Sequence, residues 1–250
     1  MIKKESYAKQ LAAYLVIEFV MFCAIKIAEQ TAGKRLLSLF MYSPILLNFV
    51  VIVYAYNTFN KLTPNLNKKS MSIWGIPLAL LLTVCADVFL VLIGQPNVLV
   101  FGYLFFSLVQ TVYAFYLKVT PLIGGVRIAS YILFLAALHF ADKFEPAYIV
   151  AAWSMSQLII NVIAAWVSYA KKRTCPSLLL ATGLTLFFGC DGSIMLRILL
   201  AGQETTFYHV ICLLVWTCYV PSQAALVTSY ITDRKEHIDT ISSQQDMIRY

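Results

Sequence analysis

LLLTVCADVFLVLIGQPNVLVFGYLFFSLVQTVYAFYL, residues 80–117, decides the fold. Its single charge, Asp87, stands among apolar residues. The break Gly94-Gln95-Pro96-Asn97 divides the stretch in two. A helix needs about 20 mostly apolar residues to cross the bilayer core, so the stretch reads as two spanning helices joined by a tight turn. Reading outward between charges and Pro, Gly and Asn breaks extends the pattern to eight segments: 10–29, 36–57, 72–94, 98–117, 122–141, 146–169, 176–201 and 207–231. Short connections favour antiparallel neighbours. Period-two strands of about ten residues, the mark of an outer-membrane barrel, are absent.

Composition agrees. Of 250 residues, 60% are hydrophobic and 12% charged, against roughly 45–50% and ~25% in soluble domains. That charge is too little to cover a water-soluble globule. The expected class is all-α: a polytopic integral membrane protein, one eight-helix transmembrane domain over 1–231, with a short polar cytoplasmic tail over 232–250. The basic N-terminus runs into an apolar stretch interrupted by Glu18 and Lys26, with no small-residue cleavage site, and reads as a retained first helix rather than a signal peptide. The six cysteines, Cys23, Cys85, Cys175, Cys190, Cys212 and Cys218, form no CxxC pair and read as small apolar side chains.

Positive charge sets the expected orientation. Lys3, Lys4, Lys9, Lys61, Lys68, Lys69, Lys118, Arg127, Lys171, Lys172, Arg173, Arg234, Lys235 and Arg249 fall on one side, and Lys34, Arg35, Lys143 and Arg197 on the other. Cytoplasmic loops carry the Lys/Arg excess, which places both termini in the cytoplasm, in a plasma-membrane protein. The pI of about 9.1 is then a topology signal with attraction to anionic lipid; no nucleic-acid partner is expected.

Ionisable residues at membrane depth cost at least ~2.5 kcal/mol and mark functional sites by default. The candidates are Glu18, Lys26, Asp87 and Asp191. Asp87 follows Lys69, and Asp191 follows Arg173, by the same 18 residues. At 1.5 Å per residue both carboxyls lie about 27 Å from their basic anchors, so they share a depth. Lys26 reaches nearly the same layer on the first helix, and Glu18 lies about 12 Å lower. Two buried carboxyls in contact cannot both ionise cheaply, so one holds a proton while the other is charged, the arrangement of an acid beside a base or cation stabiliser. The plainer reading is that each hydrogen-bonds a neighbouring helix.

The third/fourth and seventh/eighth segments look faintly duplicated: Asp87 precedes Gly94-Gln95 and Asp191 precedes Gly202-Gln203, and the helices that follow carry Gln110 and Tyr113, then Tyr219 and Gln223. Trp74 and Trp166 read as interfacial aromatics, and Trp153 and Trp216 as packing. His139 and His209 fall near helix ends.

Residues 80–117 resemble the YhhN-like membrane family, the lysoplasmalogenases. That family carries a Gly-Asp near the end of an apolar helix, then a Phe/Gly-rich helix with a His and a Tyr. LLLATGLTLFFGCDGSIMLRIL, residues 178–199, resembles its second Asp helix, and WTCYVPSQAALVTSY, residues 216–230, its final helix. With the eight-helix pattern, the resemblance spans most of 10–231. In place of the family's Gly-Asp stands Ala86-Asp87; of Ser-Asp, Cys190-Asp191; of the His, Gln110; of an early Lys-Pro, Ser43-Pro44. Tyr113 remains. Ser43 falls in the aspartate layer, about 12 Å from the outer side, so Lys26 is the candidate to stand in for the family's lysine.

The resemblance implies an intramembrane hydrolase that cleaves the vinyl ether bond of lysoplasmalogens to a fatty aldehyde and a glycerophospho-alcohol. It implies Asp87 and Asp191 as the catalytic pair, with their division into acid and base open. Tyr113, Gln110, Tyr219, Gln223 and Lys26 are the positioning candidates, although by helix rise Gln110 and Tyr113 fall below the aspartate layer. The expected partners are a lysophospholipid substrate and membrane lipids; no cofactor or metal is called for. A non-catalytic protein, binding lipid or transporting protons or small molecules, is the alternative. Helices broken at matching points of two halves would favour transport; here they read as continuous around both aspartates. A metal-dependent hydrolase would want more ligands than the three histidines.

Overall fold

Residues 80–117 fold as the hairpin their sequence promises, with one departure at Asp87. In the computed structural model, which describes residues 4–31, 34–62, 71–119, 124–200 and 206–248, α3 spans Met71–Asp87 and α4 spans Leu99–Tyr116. Between them the chain widens into a π-helical stretch, Val88–Ile93, closed by Gly94 N–H donating to the Phe89 carbonyl at 3.0 Å. Gly94 takes φ +59, the left-handed region a glycine enters at no steric cost. A short 3-10 turn, Pro96–Val98, leads into α4. Asp87 is therefore the last α-helical residue before a change of helical hand-hold. The expectation of a continuous third helix fails here, whereas Asp191 sits inside an uninterrupted α7. Widening of this kind is rare and recurs at functional positions.

The remaining helices are α1 (Lys4–Thr31), α2 (Lys34–Leu62), α5 (Gly124–Phe140), α6 (Pro146–Lys172), α7 (Cys175–Leu199) and α8 (Thr206–Ile248). The described residues thus give eight α-helices at the expected places and no strand. Four apolar stretches are long enough to cross a membrane: Trp74–Ile93, Pro96–Tyr116, Pro146–Lys172 and Cys175–Leu199. Ala12–Ile25, Pro44–Thr58 and Gly124–Phe140 are shorter apolar helices. The expected polar tail is no separate element: α8 runs unbroken over 43 residues to Ile248, about 64 Å at the α-helical rise.

The most extensive helix interfaces are α7–α8 and α3–α4, the two hairpins whose first helices carry the aspartates. α4 then packs on α6, α6 on α7, and α1 and α2 close against α8. The main core draws on all of these, with Ile76, Ala79, Val109, Leu158, Leu184 and Leu226 fully buried. α5 stands outside this ring against α6 and covers a second cluster of Leu138, Ala151, Ala152 and Met195. Outward-facing side chains are apolar: Phe19, Leu133 and Phe115 are each 67–69% exposed. Water-soluble monomers rarely leave so much apolar surface uncovered.

Candidate active site

The end of α3 holds Asp87 in the interior, 4% exposed. The Tyr219 hydroxyl of α8 donates to its Oδ2. Tyr219 is itself fixed by aromatic packing: the Trp216 ring stands edge-on at 5.5 Å and the Phe187 ring at 6.3 Å. Edge-to-face rings at such spacing favour one orientation, so the hydroxyl is aimed before anything binds. Trp216, expected to be a packing residue, packs against this tyrosine.

Asp191 of α7 is half-buried and lies within electrostatic range of Asp87. The two hairpins thus bring their carboxyls to one region of the bundle. Asp191, unlike Asp87, lines a cleft, together with Leu90, Tyr103, Phe106, Ser154 and Ile198 among others. The cleft measures about 40 Å³, room for about three water molecules at ~10–15 Å³ each. Leu90 belongs to the π-helical stretch, which thus forms one wall. Gly102 of α4 lets that wall approach: a Cβ there would stand 2.5 Å from Leu90 Cγ and 3.2 Å from the Ala86 carbonyl oxygen.

Of the positioning candidates whose side chains are described, Tyr219 is the one hydrogen-bonded to an aspartate. Gln110 is fully buried between α4 and α6, where Asn161 Nδ2 donates to its Oε1 at 3.0 Å and to its backbone carbonyl at 2.8 Å. Tyr113 lies in the main core, 1% exposed, and Gln223 is buried at 2%; neither lines the cleft. Lys26 belongs to α1, but its side chain lies outside the described residues, as do those of Ser43 and His209. His139 is exposed at the end of α5, beside Phe140 and Phe144. Glu18 occupies a separate place, buried at 3% with neither carboxyl oxygen hydrogen-bonded. There the Tyr14 hydroxyl donates to Asn48 Oδ1, and Asn48 Nδ2 donates to the Pro44 carbonyl at 2.7 Å.

Sequence reading missed Ser154 and Tyr103. The hydroxyls of Ser156, Ser193 and Ser222 each return to a carbonyl three or four residues back, at 2.7–2.8 Å. The Ser154 hydroxyl, equally buried, has no partner. Nothing in Trp153-Ser154-Met155-Ser156 distinguishes the two serines beforehand, because the difference lies in which face of α6 meets the cleft. Comparison with protein-family models, with curated proteins and with solved structures finds no match.

Proposed function

We propose that this chain is an eight-span protein of the plasma membrane, both termini cytoplasmic, which hydrolyses the vinyl ether bond of lysoplasmalogens. The observation that carries the reading is a carboxyl pair from two hairpins, with one member facing a cleft and the other held behind it by a tyrosine. The long apolar helices and apolar outer surface support the membrane setting; the cytoplasmic termini follow from the Lys/Arg asymmetry.

In this reading the two carboxyls hold one proton between them and titrate as a pair. Tyr219 donates to Asp87, which favours Asp87 as the carboxylate and leaves the shared proton on Asp191. Asp191 protonates the β carbon of the enol ether, and the C=C pair forms the new C–H bond. The resulting oxocarbenium ion is stabilised by the negative charge of the pair. Water adds to the oxygen-bearing α carbon of that ion and returns a proton to Asp191. The hemiacetal then collapses, its C–O bond breaking to give aldehyde and alcohol. The logic parallels paired carboxylates in glycoside hydrolysis. The cleft has room for the water, and the alkenyl chain lies along Leu90, Phe106 and Ile198 toward lipid. Lys26 remains the proposed replacement for the family's lysine, and Lys26→Met is expected to lose activity at normal expression.

The second reading is a lipid-binding or transport protein on the same scaffold, and one observation favours it: the π-helical break beside Asp87, since irregular helices line transport sites. Aldehyde release from a lysoplasmalogen by the purified protein, with Asp87→Asn and Asp191→Asn alongside, separates the two. Release that falls steeply in Asp191→Asn and by a smaller factor in Asp87→Asn supports the hydrolase. No release by folded wild type, across head groups and pH, supports binding or transport.

A further inference from the structure

Ser154 of α6 and Asp191 of α7 stand at one depth. Arg173 and Thr174 alone join the two helices, and two contacts fix their antiparallel register. Trp166 Nε1 donates to Thr185 Oγ1 at 2.9 Å, and a Cβ on Gly192 would stand 3.4 Å from Met155 Cε. Ser154 and Asp191 are one residue back from Met155 and Gly192. Ser154 lies eight residues from Pro146 at the start of α6, and Asp191 eight from Leu199 at the end of α7. Each is therefore about 12 Å from its helix end on the same side of the bundle, and both line the cleft. A helical serine commonly returns its hydroxyl to a carbonyl in the preceding turn, as Ser156 does to the Trp153 carbonyl at 2.7 Å. Ser154 is 4% exposed, and its hydroxyl makes no such bond. A buried hydroxyl left open against a cleft calls for a partner from within it. The cleft, about 40 Å³, admits water, and a ligand that displaces such water has to supply the bond instead.

We propose that Ser154 is a specificity-determining residue, which binds a free hydroxyl on the glycerol carbon next to the ether-bearing one of a single-chain lipid. The assignment rests on the reading of the cleft as a lipid site, and it adds the group that separates a lipid with that hydroxyl from one without it. A hydroxyl both donates and accepts, so Ser154 and the ligand hydroxyl satisfy each other in either direction. In such a lipid the hydroxyl and the ether oxygen sit on adjacent carbons, so one molecule reaches Ser154 and Asp191 together within one small cleft. The lining is otherwise apolar except for Tyr103, and Asp191 is committed to the ether side. A ligand that lacks the hydroxyl strands the buried serine, which is how a polar pocket rejects an analogue of nearly the same shape.

The test is binding to the full-length protein in detergent of two lipids that cannot be hydrolysed, a saturated 1-alkyl lysophosphatidylcholine and its 2-deoxy analogue of the same chain. Wild type is expected to bind the hydroxyl-bearing lipid about tenfold more tightly. Ser154→Ala removes that preference and leaves the 2-deoxy lipid bound as before. Ser154→Cys keeps nearly the same volume with a weak donor and retains little of the preference. Ser156→Ala, whose lost hydroxyl is already spent on the Trp153 carbonyl, keeps it in full. Equal binding of both lipids by wild type overturns the proposal, as does binding of neither. A Ser154→Ala loss that falls equally on both lipids overturns it too, as does a preference that disappears in Ser156→Ala. Failure of the hydrolase reading shows as absent aldehyde release and leaves this hydroxyl preference intact.

Discussion

The Tyr219 hydroxyl of α8 donates to the Asp87 carboxyl at the end of α3, joining two hairpins across 132 positions of sequence. A hydrogen bond to a charged partner contributes about 1.5–3 kcal/mol, and leaving a buried acceptor unmet costs about as much. Tyr219→Phe keeps the ring against Trp216 and Phe187 and removes only the donor. Its kcat is expected to fall by about ten- to a hundredfold, with KM nearly unchanged, as for loss of part of an acid–base unit. Steady-state aldehyde release and thermal melting in detergent check it. An unchanged kcat would mean that Tyr219 is a structural strut.

Asp191 and Asp87 differ in access, and the variants should differ accordingly. Asp191 faces the cleft and Asp87 does not. Asp191→Asn removes the group that delivers the proton and is expected to lose about 10²–10⁴ in kcat. Asp87→Asn keeps a hydrogen-bonding neighbour behind Asp191 and is expected to lose less, with a flattened pH–rate profile because the pair no longer titrates as one. A pH series on both variants measures this. A deeper loss in Asp87→Asn would reverse the assigned roles.

Much of this was legible in the chain. Apolar run length and Pro/Gly breaks mark the eight helices, because spanning length is a physical threshold, but α8 runs on to Ile248, well past its expected end at 231. Counting residues from basic anchors gives Asp87 and Asp191 one expected depth, and Asp191 lies within electrostatic range of Asp87. The π-helical stretch after Asp87 was not legible: VFLVLI reads as plain α-helix, and what widens it is packing against Gly102 and closure at Gly94. Tyr219 was named but not its partner, since depth says nothing of facing. Gln110 and Tyr113 are buried and do not line the cleft.

Gln110 illustrates the distinction between a buried polar residue and a site residue. Its contacts are with Asn161, not with the cleft. Gln110→Ala is expected to destabilise the protein by about 1–3 kcal/mol, from the cavity left at a fully buried position and the loss of one of the two bonds Asn161 donates. Its kcat at a temperature where it is folded should stay within about threefold of wild type. Parallel melting and activity measurements decide; a large kcat loss with normal melting would return Gln110 to the site.

Gly102→Ala probes the wall of the cleft. The added carbon would press on Leu90 and on the Ala86 carbonyl. Overpacking of this kind costs about 1–3 kcal/mol, and the easiest relief moves Leu90 toward the cleft. The expected result is lower melting and a raised KM that grows with alkenyl chain length. A chain-length series on the variant reads it out; uniform loss across lengths would place the chain elsewhere.

Glu18 is an acid in the same bundle that the chemistry leaves aside. It lies near Tyr14 and Asn48, with no close hydrogen bond to either carboxyl oxygen and Asn48 as its nearest polar neighbour, and the cleft is lined without it. Burial disfavours a charge here, and Gln keeps the size of the side chain and its ability to bond to neighbouring Asn48, so Glu18→Gln excludes a buried charge at little cost in contacts. Melting is expected to stay level or rise, and aldehyde release to stay within about twofold of wild type, both far from the loss that general acid–base groups show on removal. The same purified variant serves for both measurements. A loss comparable to that of Asp191→Asn would bring Glu18 into the proton path and require a connection along α1 to the aspartate layer.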